Sequence, residues 1–214
     1  MKYNITLLDS ETSIRNSILQ ALQSVLSKAI GVAIPKIEKD IKNAVAEALR
    51  QEPEYSSLLG GTLLAEFGLH DSSSVEKVVQ ALVQTLKVKT EPVSLGRYGL
   101  KGGFSLTMMK SDDMDGVIFL DSASVMDNER GYILPWLDWL LYRNNEPIVK
   151  NYSVSYVNSP YSRSGLAIMI PDDTNWRVPP EFAGSIKNNW TTRAISRLDP
   201  LIYKIIQSNI EAAL

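Results

Sequence analysis

The chain has 214 residues, with 44% apolar and 21% charged side chains, the balance of an ordinary folded protein of one good-sized domain or of a domain with an appended arm. Its 22 basic residues face 24 acidic ones for a net charge of −2, which argues against a general nucleic-acid binder, since phosphate contacts demand clustered Lys and Arg. With no cysteine and a single histidine, His70, the composition excludes disulfides, thiolate zinc sites and a His-based metal cluster within one chain, and any Ser-His-Asp triad would have to use His70.

The opening "MKYNITLLDSET" turns polar after eight residues, too early for a secretory apolar region. No uninterrupted apolar run approaches the roughly 20 residues of a membrane span. The expectation is a soluble protein made in a cytosol, with no membrane partner. "KYNITLL" reads as a short strand, and "DSETS" offers helix N-caps. From Ile14 the apolar residues keep helical spacing through Ile18, Leu22, Val25, Ala29, Ala33, Ile37, Ile41, Val45 and Ala48, one stripe over about ten turns. Pro35 falls inside it and predicts a kink or a brief break, because proline removes a donor and crowds the carbonyl four residues back. The stripe suits either a helix lying on the domain core or, since a helix this long outgrows a small core, an arm that packs partly on other subunits; residues 1–52 read as a helical arm and 53–214 as an α+β domain continuous with it.

Pro53 opens a short helix, and Gly60, Gly61 and Gly68 break the pattern after it. "SSVEKVVQALVQTLK" is a helix with Ser73 and Glu76 in capping-box spacing and an apolar face of Val75, Val78, Val79, Leu82, Val83 and Leu86. His70, at a helix start, reads as a surface residue. From Leu86 to Ser124 the texture is β: "VKTEPVSL", "GGFSLTMMK" and "DGVIFLDSAS" are short runs divided by turns. "LPWLDWLLYR" is a buried helix begun by Pro135, with Trp136 and Trp139 as core residues. "IVKNYSVSYV" and "GLAIMI" are two more strands, joined by the polar loop "NSPYSRS" that carries Arg163. A last stripe through Ile195, Leu198, Ile202, Ile205 and Ile210 ends the chain on a helix. Helices and strands are segregated, which predicts an α+β fold with a long N-terminal helix, a mainly antiparallel sheet with packed helices, and a C-terminal helix.

Three stretches invite a catalytic or ligand reading. "VIFLDSAS" has the apolar-Asp-Ser-Ala order of an aspartic-protease turn around Asp121, but the chain holds no second copy and no bracing strand; a buried strand ending in an Asp-Ser turn is the simpler account. "SDDMDG" clusters acids before a glycine, yet a calcium loop would want a late bidentate Glu where Ser122 stands; a hairpin turn fits better. "GRYGLKGG", Gly96 to Gly103, lacks the Lys-Ser or Lys-Thr of a phosphate loop and reads as a mobile Gly-rich loop whose Arg97 and Lys101 touch a partner or passing nucleic acid. No enzyme reading has its full set of parts, and no cofactor is expected.

The stretch from Ser162 to Ile195 reads as a shaped surface. Trp176 lies in "DDTNWRVPP", a polar loop before a rigid Pro-Pro pair, where a large aromatic meets a partner. Arg177 beside it suits bidentate pairing with a neighbour's carboxylate. Pro179 and Pro180 fix an extended path, "EFAG" makes a helical turn closed by Gly184, and Arg193 is placed to tie the final helix to an acid such as Glu181. The interface candidates are therefore Trp176, Arg177, Arg163, Arg193, Arg97 and Lys101.

"LPWLDWLLYRNNEPIVKNYSVSYV", "SRSGLAIM" and "WRVPPEFAGSIKNNWTTRAI", with "PEYSSLLGGTLLAEFGL" upstream, resemble a pattern in structural proteins of tailed bacteriophages, namely virion neck or tail-completion proteins that sit between portal and tail. The match covers Pro53–Leu69 and Leu134–Ile195; the segment from Leu86 to Ser124 resembles no such pattern. The resemblance implies a structural, non-catalytic protein forming a hexameric or dodecameric ring in the virion, assembled in the host cytoplasm. Its partners would be portal or connector and tail proteins, with genomic DNA only in transit; a mildly acidic chain suits a lumen through which DNA slides. The alternatives are another virion part (tail terminator, tail tube, baseplate or head decoration) and, from a different class, a dimeric aspartic protease using Asp121.

Overall fold

The computed structural model describes residues 9–70, 72–127 and 131–214. The strand expected at "KYNITLL" lies outside them. Helix α1, Glu11–Arg50, starts at Ser10, whose hydroxyl accepts from the Ser13 amide, so one of the predicted caps is used. It runs through Pro35 without the break that was one of the two expectations there. Pro35 and Gly31, whose carbonyl loses its donor, are both exposed, so water can take that bond, and the stripe on the opposite side stays in phase.

Two short helices follow. α2 is Pro53–Gly60, with proline in its first turn, and α3 is Thr62–Phe67, ending at Gly68. α4, Ser73–Gln84, buries the predicted face of Val75, Val78, Val79, Leu82 and Val83. The predicted capping box is replaced: Ser72 holds the N-cap, and the Glu76 carboxylate turns to Arg50, Tyr55 and Gln80. His70 is exposed, as expected.

β1, Lys87–Gly96, and β2, Gly99–Thr107, form an antiparallel ribbon. The next segment departs from the β texture read in the sequence. "SDDMDGVI" is helix α5, Ser111–Ile118, and Asp121–Ala123 is a 3-10 turn in which Asp121 is exposed. Met114, Val117 and Ile118 are buried together, a helical spacing that the apolar run "VIFL" hides. A short ribbon of β3, Val125–Asp127, and β4, Tyr132–Leu134, leads to α6, Trp136–Tyr142. β5, Val149–Ser155, pairs antiparallel with β6, Ile168–Trp176. The last stripe is divided between α7, Trp190–Ser196, and α8, Asp199–Glu211.

The architecture is α+β with long helices at both ends and antiparallel strands between. The strands do not join into one sheet: among the described residues they make three separate two-stranded ribbons. The core is therefore built mainly by helices. Ala33, Ile37, Ile41, Val45 and Leu49 of α1 are buried in it with the α4 face, Leu58, Leu63, Phe67, Trp136, Trp176 and Trp190. The second half of α1 is thus the central helix of the domain, and the first half of that helix projects.

Three buried tryptophans brace this core, each with its indole N–H satisfied by a distant element. Trp190 donates to the Leu49 carbonyl at 2.8 Å, tying α7 to the end of α1. Trp136 donates to the Ser122 carbonyl at 3.0 Å, and Trp176 to Glu66 Oε2 at 3.0 Å. Phe67 packs on both of the latter rings, at 6.3 Å from Trp136 and 6.4 Å from Trp176. Trp139, also expected in the core, is half-buried, with the Arg143 guanidinium 5.8 Å from its ring centre.

Candidate functional site

The six interface candidates fall into three places. Trp176 is corrected from loop tip to core: it ends strand β6, is 7% exposed, and sits against Phe67 and Glu66 of α3. "DDTN" is polar yet extended because this stretch of β6 is exposed, so it lacks the alternation that marks a strand over a core. Arg177 is half-buried and donates to Asn145 Oδ1 at 2.9 Å within its own chain, in place of the neighbour expected. Arg163 is exposed, its stem lying across Gly68 at the end of α3.

Arg193 does not reach Glu181. It donates to Glu54 and lies 3.4 Å from Glu52 Oε2, while Arg197 Nη2 is 2.7 Å from Glu52 Oε1. Both glutamates are fully buried and flank Pro53 at the junction of α1 and α2. Two carboxylates and two guanidiniums thus form a charge-balanced clamp between that junction and α7: Arg193 ties its helix to an acid within the chain as expected, but to Glu54 and Glu52 in place of Glu181.

Arg97 and Lys101 do come together, at the tip of the β1–β2 ribbon. The mobile loop expected from Gly96 to Gly103 is a paired hairpin: Gly96 faces Gly99, Ser94 faces Lys101 and Glu91 faces Gly103. Only Arg97 and Tyr98 make the turn, with the guanidinium carbon 5.5 Å from the tyrosine ring centre and Tyr98 exposed. A bulge sits between Glu91 and Ser94, and Gly102 opposite it leaves the room: a Cβ there, at φ +141°, would lie 2.6 Å from Val93 Cα.

The ribbon lies along the projecting half of α1. Gln23 Nε2 donates to the Val93 carbonyl at 2.8 Å, and Leu19, Leu26 and Ile30 on the same side of the helix are half-buried. An adjoining side is uncovered. Ile18, Leu22 and Val25 are 54%, 46% and 51% exposed, and they continue the stripe that goes on to Ala29, Ala33 and Ile37, all buried. One apolar stripe is therefore sealed by the domain over its second half and open over its first.

No family model, no curated protein and no solved structure matches this chain. The site has to be read from its own chemistry. No group of three or more His, Asp or Glu side chains placed to hold a metal occurs among the described residues. What the arm presents is an apolar stripe beside a basic ribbon. By length and composition alone α1 is also apolar enough to cross a membrane, a property hidden from a search for uninterrupted runs because Gln and Ser are interspersed. Here the helix carries a ribbon with unpaired strand edges on its flank, and such edges are costly in hydrocarbon.

Proposed function

We propose that this chain is a structural protein of a tailed-phage virion, forming a ring in the neck that joins the head, through portal or connector, to the tail and lets DNA pass. The observation that carries the reading is that the two separate stretches resembling neck proteins fold on one another. Phe67 and Glu66, from the first, hold Trp136 and Trp176, from the second, and Glu54 at the start of the first, with Glu52 just before it, holds Arg193. A pattern split across the sequence is thus one structural unit. The open half of α1 gives that unit a surface for copies or partners, and the role is assembly, not catalysis.

The test is a phage carrying a nonsense codon in this gene. Its non-permissive lysates should accumulate DNA-filled heads and finished tails that do not join, and the protein should be found in purified wild-type particles by mass spectrometry. Normal particles from the nonsense phage, or wild-type particles free of the protein, would rule the reading out.

A further inference from the structure

We infer that the projecting half of α1 and its ribbon dock head to tail on a second copy of this chain, on the apolar step Phe119–Leu120 and the acids around it. The inference rests on the reading of the chain as a ring-forming protein and supplies the contact that would close the ring. Charge separates the molecule into complementary parts. Residues 11–28 and 87–107, the arm and its ribbon, carry six basic and two acidic residues, whereas the remainder carries 16 and 22. The open stripe Ile18, Leu22 and Val25 lies between Arg15, one turn before, and Lys28, one turn after, both exposed.

The receiving surface has the opposite sign and the same apolar character. Phe119 is 84% exposed at the end of α5, with Leu120 beside it. Asp112 and Asp115 on α5 and Asp121 in the following turn are all exposed. Next in the chain, the β3–β4 ribbon turns Met126 and its cross-strand partner Ile133 outward. Both surfaces are open within a single copy. Lys87, at the foot of the ribbon, bonds Asp113 at 2.5 Å, so α5 stands by the base of its own arm while the stripe lies farther out, alongside Val93. Two different, complementary patches on one chain make a heterologous contact, and heterologous contacts close into rings when the rotation allows. A large apolar patch with opposite charge at its rim is the usual form of a protein contact.

The experiment uses the full chain and reads its mass by native mass spectrometry and sedimentation, with circular dichroism as the folding control. Wild type should have the mass of a ring. Leu22→Glu with Val25→Glu removes the arm surface, and Phe119→Ser with Asp115→Lys removes the receiving one; each pair should leave a folded single chain, since every substituted side chain is exposed. Mixed, the two variants should form a one-to-one complex and nothing larger, because each retains the half that the other lacks. A wild type that stays a single chain, or an arm variant that keeps the ring mass, overturns the inference. Two monomeric variants that ignore each other overturn it, and a receiving-surface variant that still associates overturns it in favour of an arm-to-arm contact. Flotation of wild type, but not of the arm variant, with phosphatidylcholine–phosphatidylglycerol vesicles overturns it in favour of a membrane. None of these readings uses virions, so a chain that forms the ring yet is missing from particles sinks the neck role alone.

Discussion

Arg193 shows how far a side chain's meaning depends on what folding brings to it. Its partner Glu54 is 139 residues away, buried, and has lost its hydration. Removing the guanidinium leaves that charge behind, which costs on the order of 3–5 kcal/mol in comparable buried pairs. Arg193→Met should therefore destabilise the chain strongly in urea unfolding, and adding Glu54→Gln to it should recover part of the loss. Trp176→Ala should cost a similar amount, roughly 3–5 kcal/mol, for an aromatic lost from a packed core. If both substitutions leave the unfolding midpoint in place, the core has been misassigned. Glu76 provides a pH signature. The hydrogen bond from Arg50, aided by Gln80 and Tyr55, holds its carboxyl below the ordinary glutamate value. A lowered carboxyl contributes stability above the unfolded value, and that stability disappears as pH falls through the folded one. Because the pair is about a third exposed, the effect is small. Arg50→Gln should flatten the acid side of the stability profile below about pH 4.5 and leave the neutral side parallel to wild type.

At the level of elements, the long helix has two mechanical roles. Its second half is the post on which α4, α7 and α8 pack, and Asn209 of α8 reaches Asp40 at 3.0 Å. A chain lacking residues 1–50 should therefore fail to fold, whereas one lacking 1–16 should keep the core and its cooperative unfolding. Limited proteolysis and circular dichroism distinguish these outcomes. A second joint lies between α6 and the loop before α7. The Gly184 amide donates to the Leu140 carbonyl at 3.0 Å, and the Gly184 carbonyl accepts from the Asn144 amide at 3.0 Å. The approach is so close that a Cβ would stand 2.4 Å from the Leu140 oxygen. Gly184→Ala should cost about 1–3 kcal/mol, the range of overpacking in a tight site, read as a lower melting temperature. An unchanged melting temperature would mean that this loop is free to move away.

For the whole molecule, the separation of a basic arm from an acidic body predicts that assembly is sensitive to salt. Exposed charges farther apart than a Debye length, about 8 Å at physiological ionic strength, are screened, so raising salt toward 1 M should weaken association, while the buried clamp at Glu52 and Glu54 should hold. Sedimentation across a salt series measures the first, and thermal unfolding of the single chain measures the second. Association that strengthens with salt would place the affinity in the apolar stripe alone.

Composition and periodicity were enough to determine the class and the principal helices. The stripe of α1, the face of α4, proline at the start of α2 and apolar α6 are each written in residues that are neighbours on one element, and spacing records that directly. The strands of the first and last ribbons were legible in part for the same reason, but the ribbon tip at Gly96 to Gly103 and the exposed second half of β6 read as loops. α5 was not, because a run as short as "VIFL" satisfies a strand and a helix equally until its buried neighbours choose. Of the candidate site, the nearness of Arg97 to Lys101 was legible from their spacing in the chain, whereas the hairpin that pairs Lys101 with Ser94 was not. The burial of Trp176, the partners of Arg193 and the open half of the α1 stripe were decided only by tertiary structure. An apolar stripe reads the same whether covered or bare; what covers it comes from residues tens of positions away, and only the folded chain brings them to Ala33 and Ile37 while leaving Ile18 and Leu22 in water.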